Sequence, residues 1–498
     1  MSETKKVPTM AVRRKESSGP YVLGIDVGST ASRGGLYDST GRPVKGSKQR
    51  IAHEFSSDYD GTSAIDADQV VAECREVIEG IVAFAESGGL RIEGVAMDSF
   101  ASSLVLVDAD GNALTSAITY ADSRCARYVG VLRGQIDESA YHRRTGVRLH
   151  TSYHPARLAW LKAEHPELLG KTATVMTIGE YVYLKLGGVR GIATSTAAWS
   201  GVLNLQTGLI DAEILDAVGV SPDLFDEVRT PQDPAFPRDT AWAALNDIAW
   251  FHAIPDGWPS NVGPGATDET TVAVAAATSG AMRVILPTIP ETVQEGLWCY
   301  RLDDSHAILG GAINDVGRAL AWLEKVIAPV NPDALRERLA GDPDPETPHG
   351  LPFFSGERAT GWAADAKAAL TGISNDTTAL DVWYGVIESI AVSYERIWEQ
   401  LDTAGAAATR VIASGSVTTE YPTWLQVLAN TLGADVIPLE MKRATLRGTA
   451  LIALDVLDPG GERAVPPFGE PFTYRPEHEE YYAAVRAEFD EIYEALVD

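Results

Sequence analysis

The first strong pattern in the chain is the apolar run Tyr21-Val22-Leu23-Gly24-Ile25, followed by residues 26–32, rich in Gly, Ser and Thr, and then by residues 34–37. This order predicts a buried strand, a small polar turn and a return strand. Over residues 67–85 the spacing changes to three and four: Val70, Val71, Cys74, Val77, Ile78, Ile81 and Val82 share one face, as in an amphipathic helix. Residues 95–97 and 104–107 are two further apolar runs, the second closed by the turn Asp108-Ala109-Asp110-Gly111. Strands and helices alternating in this way point to an α/β fold. A similar array begins near Thr271: a strand over 272–277, a turn at 278–280, a second strand over 281–286 and a third over 296–302. The two arrays share a plan, which suggests an internal duplication, each half opening with a hairpin whose turn faces a cleft. Residues 377–401 form a long helical pattern (Val382, Val386, Ile390, Tyr394, Ile397, Leu401), and the Pro-, Gly- and acid-rich stretches 343–348 and 458–471 read as loops.

Composition narrows the function classes. The chain has 498 residues, 45% of them apolar and 22% charged, enough for a large core. Single cores stop growing near ~250–300 residues, so two domains are expected. There are 41 Lys+Arg against 69 Asp+Glu, a net charge of −28. That field disfavours nucleic acid and anionic membranes, so any phosphate site must be assembled locally. Cys74, Cys125 and Cys299 are far apart and odd in number, which excludes a zinc spacing or disulfide framework and fits a reducing cytoplasm. No stretch of about 18 apolar residues is present. Residues 1–19 read as a disordered tail carrying Lys5, Lys6, Arg13, Arg14 and Lys15; the Arg13-Arg14 pair lacks the apolar segment of an export signal.

Four segments carry candidate chemistry. In Asp26-Val27-Gly28-Ser29-Thr30-Ala31-Ser32-Arg33, glycine allows a tight turn whose amides face an anion, and Ser29 and Thr30 can donate to phosphate oxygens. Asp26 can hold a hydrated Mg²⁺ and Arg33 can offset phosphate charge. The turn Thr278-Ser279-Gly280 is the counterpart in the second array, an opposing jaw of a phosphate clamp. Ile412-Ala413-Ser414-Gly415-Ser416 is a strand end whose small residues let a flat ring approach the backbone. Ile254-Pro255-Asp256-Gly257, between the arrays, offers a carboxylate at a domain boundary, although Pro-Asp-Gly alone is an ordinary turn. Gly170-Lys171-Thr172 mimics the end of a Walker A loop, but His165 stands where its first glycine would be. Metalloprotease, hydrolase-elbow and dinucleotide fingerprints are missing.

Taken in order, these segments resemble the FGGY family of carbohydrate kinases, over roughly residues 21–454. Further stretches support the resemblance: Tyr120-Ala121-Asp122-Ser123-Arg124 is similar to the family's W-x-D-x-R, and Thr145-Gly146 through Trp160-Leu161 to its T-G…W-L. Likewise Gly310-Gly311-Ala312-Ile313-Asn314 is similar to its G-G-x-x-N, Phe354-Ser355-Gly356-Glu357-Arg358 to F-x-G-E-R, and Arg447-Gly448-Thr449-Ala450 to R-G-A-A. Within the family the segments at 256–263, 278–283 and 297–300 look most like gluconate kinases. The resemblance implies two actin-like (ribonuclease H-like) ATPase domains, residues 20–259 on the substrate side and 260–498 on the nucleotide side. It implies an ATP- and Mg²⁺-dependent transfer of phosphate to a hydroxyl of a small sugar acid or polyol, with gluconate as first guess. Asp256 becomes the general base and Asp26 the metal residue. Ser29, Thr30, Arg33, Thr278 and Ser279 meet phosphates; Gly311, Gly415 and Ser416 line the nucleotide. Ser102, Asp122, Arg124 and His150 fall on the substrate side, and His150, Arg124 and Arg157 are the candidate cations for a sugar carboxylate. A cytoplasmic enzyme without nucleic-acid or membrane partners is expected, with a homodimer left open.

The sequence departs from the family pattern in places. Ser102 replaces a substrate-facing His, Ala277 a Gly, Ser416 the second Gly beneath adenine, Asn430 an Asp and Arg443 a Glu. The alternatives are a xylulokinase-like ketopentose kinase, which the missing substrate-facing His segment at Ser102 disfavours, and a catalytically weakened nucleotide-binding regulator, which Ala277, Ser416 and Asn430 motivate.

Overall fold

The computed structural model describes residues 10–497. Its first sheet is built from β1 (Tyr21–Val27), β2 (Ala31–Tyr37) and β3 (Gln49–Ala52), then, after helix α1 (Ala67–Ser87), from β4 (Ile92–Ser99) and, after helix α2 (Ile178–Gly187), from β5 (Ala249–Pro255). The strand order is β5-β4-β1-β2-β3. The pairs β1–β2 and β2–β3 are antiparallel; β1–β4 and β4–β5 are parallel. The second sheet contains β6 (Thr271–Ala276), β7 (Gly280–Leu286), β8 (Trp298–Arg301) and β9 (Ala307–Ile313). Helix α3 (Ala379–Thr403) then precedes β10 (Arg410–Ser414) and β11 (Val436–Pro438), in the order β8-β9-β7-β6-β10-β11. Setting aside the edge strand β8, the second sheet repeats the first: a central hairpin, a third antiparallel strand beyond it, and two parallel strands on the other side. The duplication read from the sequence is therefore present in the topology.

Period-two alternation decides which side chains face which layer. In β1, Leu23, Ile25 and Val27 pack with Val70, Val77 and Ile81 of α1. Val22 faces the opposite cluster, with Leu446, Ala450 and Leu454 of helix α4 (Ala444–Leu457). Asp26 and, by the same alternation in β4, Asp98 point to the α4 side. Helix α1 starts at Asp66, whose carboxylate accepts the Gln69 amide at 2.8 Å, and α3 opens with a Thr378–Asp381 capping box.

Several expectations are corrected. The first hairpin's strands run further than the apolar pattern indicates, so Asp26, Ser32 and Arg33 lie within strands and the turn shrinks to Gly28-Ser29-Thr30. The strand expected over 296–302 is present but at the sheet edge, because β9 inserts between it and β7. A Cβ on Gly310 would lie 2.3 Å from the Met282 carbonyl, so the first glycine of the G-G-x-x-N match is required for close strand pairing. Residues 10–19 pack against the domain: Val12 is buried and bridges Val44, and the Arg14 guanidinium lies 4.1 Å from the Phe84 ring centroid. Residues 1–9 lie outside the described residues. A cut at 259/260 separates the two sheets but not the layers, because α4 returns to cover the first sheet.

Candidate active site

Three carboxylates converge where β1, β4 and β5 end. Asp26 and Asp98 are directly paired in the parallel register of β1 and β4, and the Asp256 amide donates to the Ser99 carbonyl at 3.0 Å. Burial pushes Asp98 well up, the Asp26 and Asp256 carboxylates add to this, and the Thr449 hydroxyl, which donates to Asp98 Oδ2, opposes it. Burial and the two neighbouring carboxylates thus favour the protonated form of Asp98, beside Asp26. Burial raises Asp26 as well, opposed by Arg33, whose Nη1 lies 3.5 Å from Asp26 Oδ2, and by Arg443. Asp256 is pushed up to about 6 by burial and then by Asp26, with Arg283 opposing. A carboxylate titrating near 6 is ionised at neutral pH yet basic enough to accept a proton from a reacting hydroxyl.

The turn after β1 is held from below. His53 Nε2 lies 2.8 Å from the Gly28 carbonyl and its Nδ1 lies 2.7 Å from Glu73 Oε2, an oxygen that also accepts the Ser32 hydroxyl at 2.8 Å. A Cβ on Gly28 would lie 2.9 Å from Arg33 Nη2, so glycine is needed for Arg33 to lie across the turn. Ser29 is half-buried near Tyr120, and Thr30 is exposed. In the second half, Ala277, Thr278 and Ser279 are exposed, while the Ala277 and Thr278 carbonyls accept the amides of Gly317 and Arg318 at 2.8 and 3.1 Å. Gly415 follows β10 with φ 118°, and a Cβ there would lie 2.0 Å from the Ala276 carbonyl. The fold thus brings Gly415 and the exposed Ser416 beside the 277–279 turn. Gly311 is placed elsewhere: it is buried against Ala359 and Ile397, where a Cβ would lie 2.6 Å from that of Ala359, so its smallness serves strand–helix packing. Asn430 is buried too and binds the C-terminal segment, accepting the Arg475 amide at 3.1 Å.

Beside Asp256 lies an aromatic wall. Trp199 stacks on Tyr300 at 3.9 Å between centroids, Trp298 stacks on Tyr300 at 4.5 Å, and the hydroxyls of Tyr153 and Tyr300 are 2.7 Å apart. A Cβ on Gly257 would lie 2.7 Å from the Trp199 ring, which fixes the approach of Asp256-Gly257 to this wall. Arg283 donates to the Ser260 hydroxyl at 3.0 Å and interacts with Asp256 and Tyr300. Arg358 lies beside Tyr153 and is close enough to depress His150. Among the described residues, neither arginine is in an ion pair, and each has a buried Nε without a hydrogen-bond partner.

The cations expected from the sequence are committed elsewhere. Burial, then Arg358 and Arg157, drop His150 to about 3, so it is neutral. Arg157 is fully buried and donates to the carbonyls of Thr151, Ser102 and Thr119. Arg124 is paired with Asp122 at 2.7 Å and lies over the Trp160 ring, while Asp122 also accepts the Ser63 amide at 3.0 Å. That pair organises its own loop. The Ser102 hydroxyl is likewise spent, donating to the Trp199 carbonyl, and its φ is 60°. Sequence reasoning assigned no role to Asp98, Arg283, Arg358, His53 or the aromatic wall. The available signal was a charge inside an apolar strand, as with Arg283 in Ala281-Met282-Arg283-Val284-Ile285.

Among the described residues, no three His, Cys, Asp or Glu side chains form a metal cage. Mg²⁺ bound through water, nucleotide phosphates and one carboxylate needs none, and Asp26 fits that single role.

Residues 21–234 match the description "FGGY family of carbohydrate kinases, N-terminal domain", and residues 276–454 match the corresponding C-terminal domain. The gluconokinase of Bacillus subtilis (strain 168) is 24% identical over 453 residues, 87% of each chain. The xylulose kinase of the same organism is 23% identical over 450 residues, again 87% of each chain. The crystal structure of gluconate kinase from Lactobacillus acidophilus superposes with a TM-score of 0.87 at 24% identity, covering 96% of this chain and 98% of that one. The fold is that of the two-domain actin-like (ribonuclease H-like) ATPases.

Proposed function

The chain belongs to the FGGY family of carbohydrate kinases, and from that premise we propose that it phosphorylates a hydroxyl of a small sugar acid, with gluconate the first candidate. The observation that carries this reading is the pair Arg283 and Arg358, unpaired by any described carboxylate and set beside an aromatic wall and Asp256. A neutral ketopentose brings no negative charge to these two guanidinium groups; a sugar carboxylate does. Arg283 and Arg358 hold that carboxylate, and the rings of Trp199 and Tyr300 cover the carbon chain.

Asp256 takes the proton of the hydroxyl as its oxygen bonds to the γ-phosphorus of ATP, and the bond from that phosphorus to the bridging oxygen of ADP breaks. Ser29, Thr30, Thr278 and Ser279 present hydroxyls to the phosphates from the two halves, with Arg33 adding positive charge. Bound Mg²⁺, held through Asp26, supplies charge neutralisation to those phosphates. ADP release measured with sugar acids, polyols and ketopentoses tests the proposal. The highest kcat/KM for a sugar acid supports it; the highest for xylulose, or a flat response across the panel, overturns it.

A further inference from the structure

A second cavity, of about 630 Å³, opens on the flank of the first sheet, between the 43–48 loop, the segment 10–13 and the start of α4. Arg13, Lys45, Lys48, Lys442, Arg443 and Arg447 line it, and none of the residues lining it is acidic. In a chain of net charge −28 this is a pronounced local reversal. Like charges gathered around a concave surface raise its potential and favour a bound anion. Among the described residues, Lys45, Lys48, Lys442 and Arg443 form no ion pair with a carboxylate; Arg13 reaches Glu16 only at 3.7 Å, with both side chains more than half exposed.

Two further observations concern residues of the cavity wall. Arg447 is 2% exposed and donates to the carbonyls of Gly263 and Ala464, yet its buried Nε has no partner. Arg443 has φ 65°, a left-handed conformation costly for a side chain with a Cβ, and it occupies the cap of α4, where backbone amides and the helix dipole add positive potential. Burial and the neighbouring Arg33 lower its pKa, so an anion would relieve both effects. Gly35 leaves the cavity open: a Cβ there would meet nothing closer than 3.7 Å.

We propose that this cavity binds a small soluble anion bearing phosphate groups, at a site separate from the catalytic cleft. Neither Asp26, Asp256, Thr278 nor Ser416 lines it. Its volume suits a ligand of metabolite size. The acidity of the remaining surface disfavours a nucleic acid or membrane as the source of the phosphates. Because residues 10–48 and 441–447 both contribute, an anion there ties the N-terminal segment and the first sheet to the helix that returns from the second half.

The test is calorimetric titration of the full chain with inorganic pyrophosphate in Mg²⁺-free, low-salt buffer. It is run beside the chain carrying Lys45→Ala, Lys48→Ala and Lys442→Ala, with Lys48→Ala alone as a milder variant should the triple one not fold. The proposal expects pyrophosphate to bind the wild type more tightly than orthophosphate. It expects the affinity to fall at least about tenfold in the triple variant and measurably in Lys48→Ala, with ATP affinity unchanged. Equal pyrophosphate affinity in wild type and variants, which would place the anion in the nucleotide cleft only, overturns the proposal. So does the absence of binding at about 10 mM, which corresponds to less than ~3 kcal/mol of binding free energy.

Discussion

Asp98 stands directly opposite Asp26 across the β1–β4 pair, and its Oδ2 receives the hydroxyl of Thr449 from α4. Two buried carboxylates side by side cannot both ionise without a large electrostatic cost. Burial favours the proton on Asp98, the more deeply buried of the two, from where it can be donated to Asp26 and leave Asp26 the anion. Asp98→Asn reproduces a neutral donor to Asp26 and an acceptor for Thr449. It is expected to retain kcat/KM within a few-fold. Asp98→Ala removes the donor and should lower kcat/KM by roughly tenfold or more, from ~1.5–3 kcal/mol for a hydrogen bond to a charged group. Steady-state kinetics of both variants decide; equal losses in Asn and Ala would show that Asp98 does not act through a proton.

The pH dependence should report Asp256. Its carboxyl titrates at about 6, so the base form grows as pH rises through that value. The logarithm of kcat/KM should climb with unit slope below about pH 6 and level above it. Asp256→Asn should lower kcat by roughly 10²–10⁴-fold with ATP binding spared. A variant with near wild-type turnover would remove Asp256 from the reaction.

Ser102 supports the aromatic wall rather than a substrate. Ser102→Ala loses the bond to the Trp199 carbonyl and keeps the positive φ, at a cost of ~1 kcal/mol in stability. Ser102→Gly loses the same bond but relieves the backbone, so it should be more stable than the Ala variant by ~1 kcal/mol. Denaturant melts rank the three proteins, and an Ala variant as stable as the wild type would contradict this role.

The contribution of Glu180 and Glu388 to stability should fall as pH rises from about 5 to 8. Burial pushes Glu180 and Glu388 each to about 8, against an ordinary value of 4.5. A carboxyl raised on folding takes up a proton in that window, so the folded state loses ground as pH rises and the loss ends above the folded pKa. The slope is at most ~1.4 kcal/mol per pH unit for each group. Glu180→Gln together with Glu388→Gln should flatten the pH dependence of the melting temperature; an unchanged slope would assign the effect to other groups.

What the sequence reveals is local. The Asp26-to-Arg33 turn and the 278–280 turn are legible because alternation and turn chemistry act within a few residues, whereas Asp256 alone reads as an ordinary turn and takes its role from the family resemblance. Asp98 is not, because its significance comes from register with a strand distant in sequence, and Met97-Asp98-Ser99 alone reads as an ordinary strand end. The cations misled for a related reason: Arg124 and Arg157 have the expected charge, but their carboxylate and carbonyl partners become visible only in three dimensions. Gly311 shows that a small residue in a motif can serve packing as readily as a ligand.

Phosphorus NMR of ATP, Mg²⁺ and gluconate with the wild type, beside the Asp256→Asn variant, tests the central claim most directly. The account predicts a new phosphomonoester resonance growing in step with ADP for the wild type, and almost none over the same period for the variant. No phosphomonoester from gluconate or any other sugar acid, or equal product from both proteins, would contradict it.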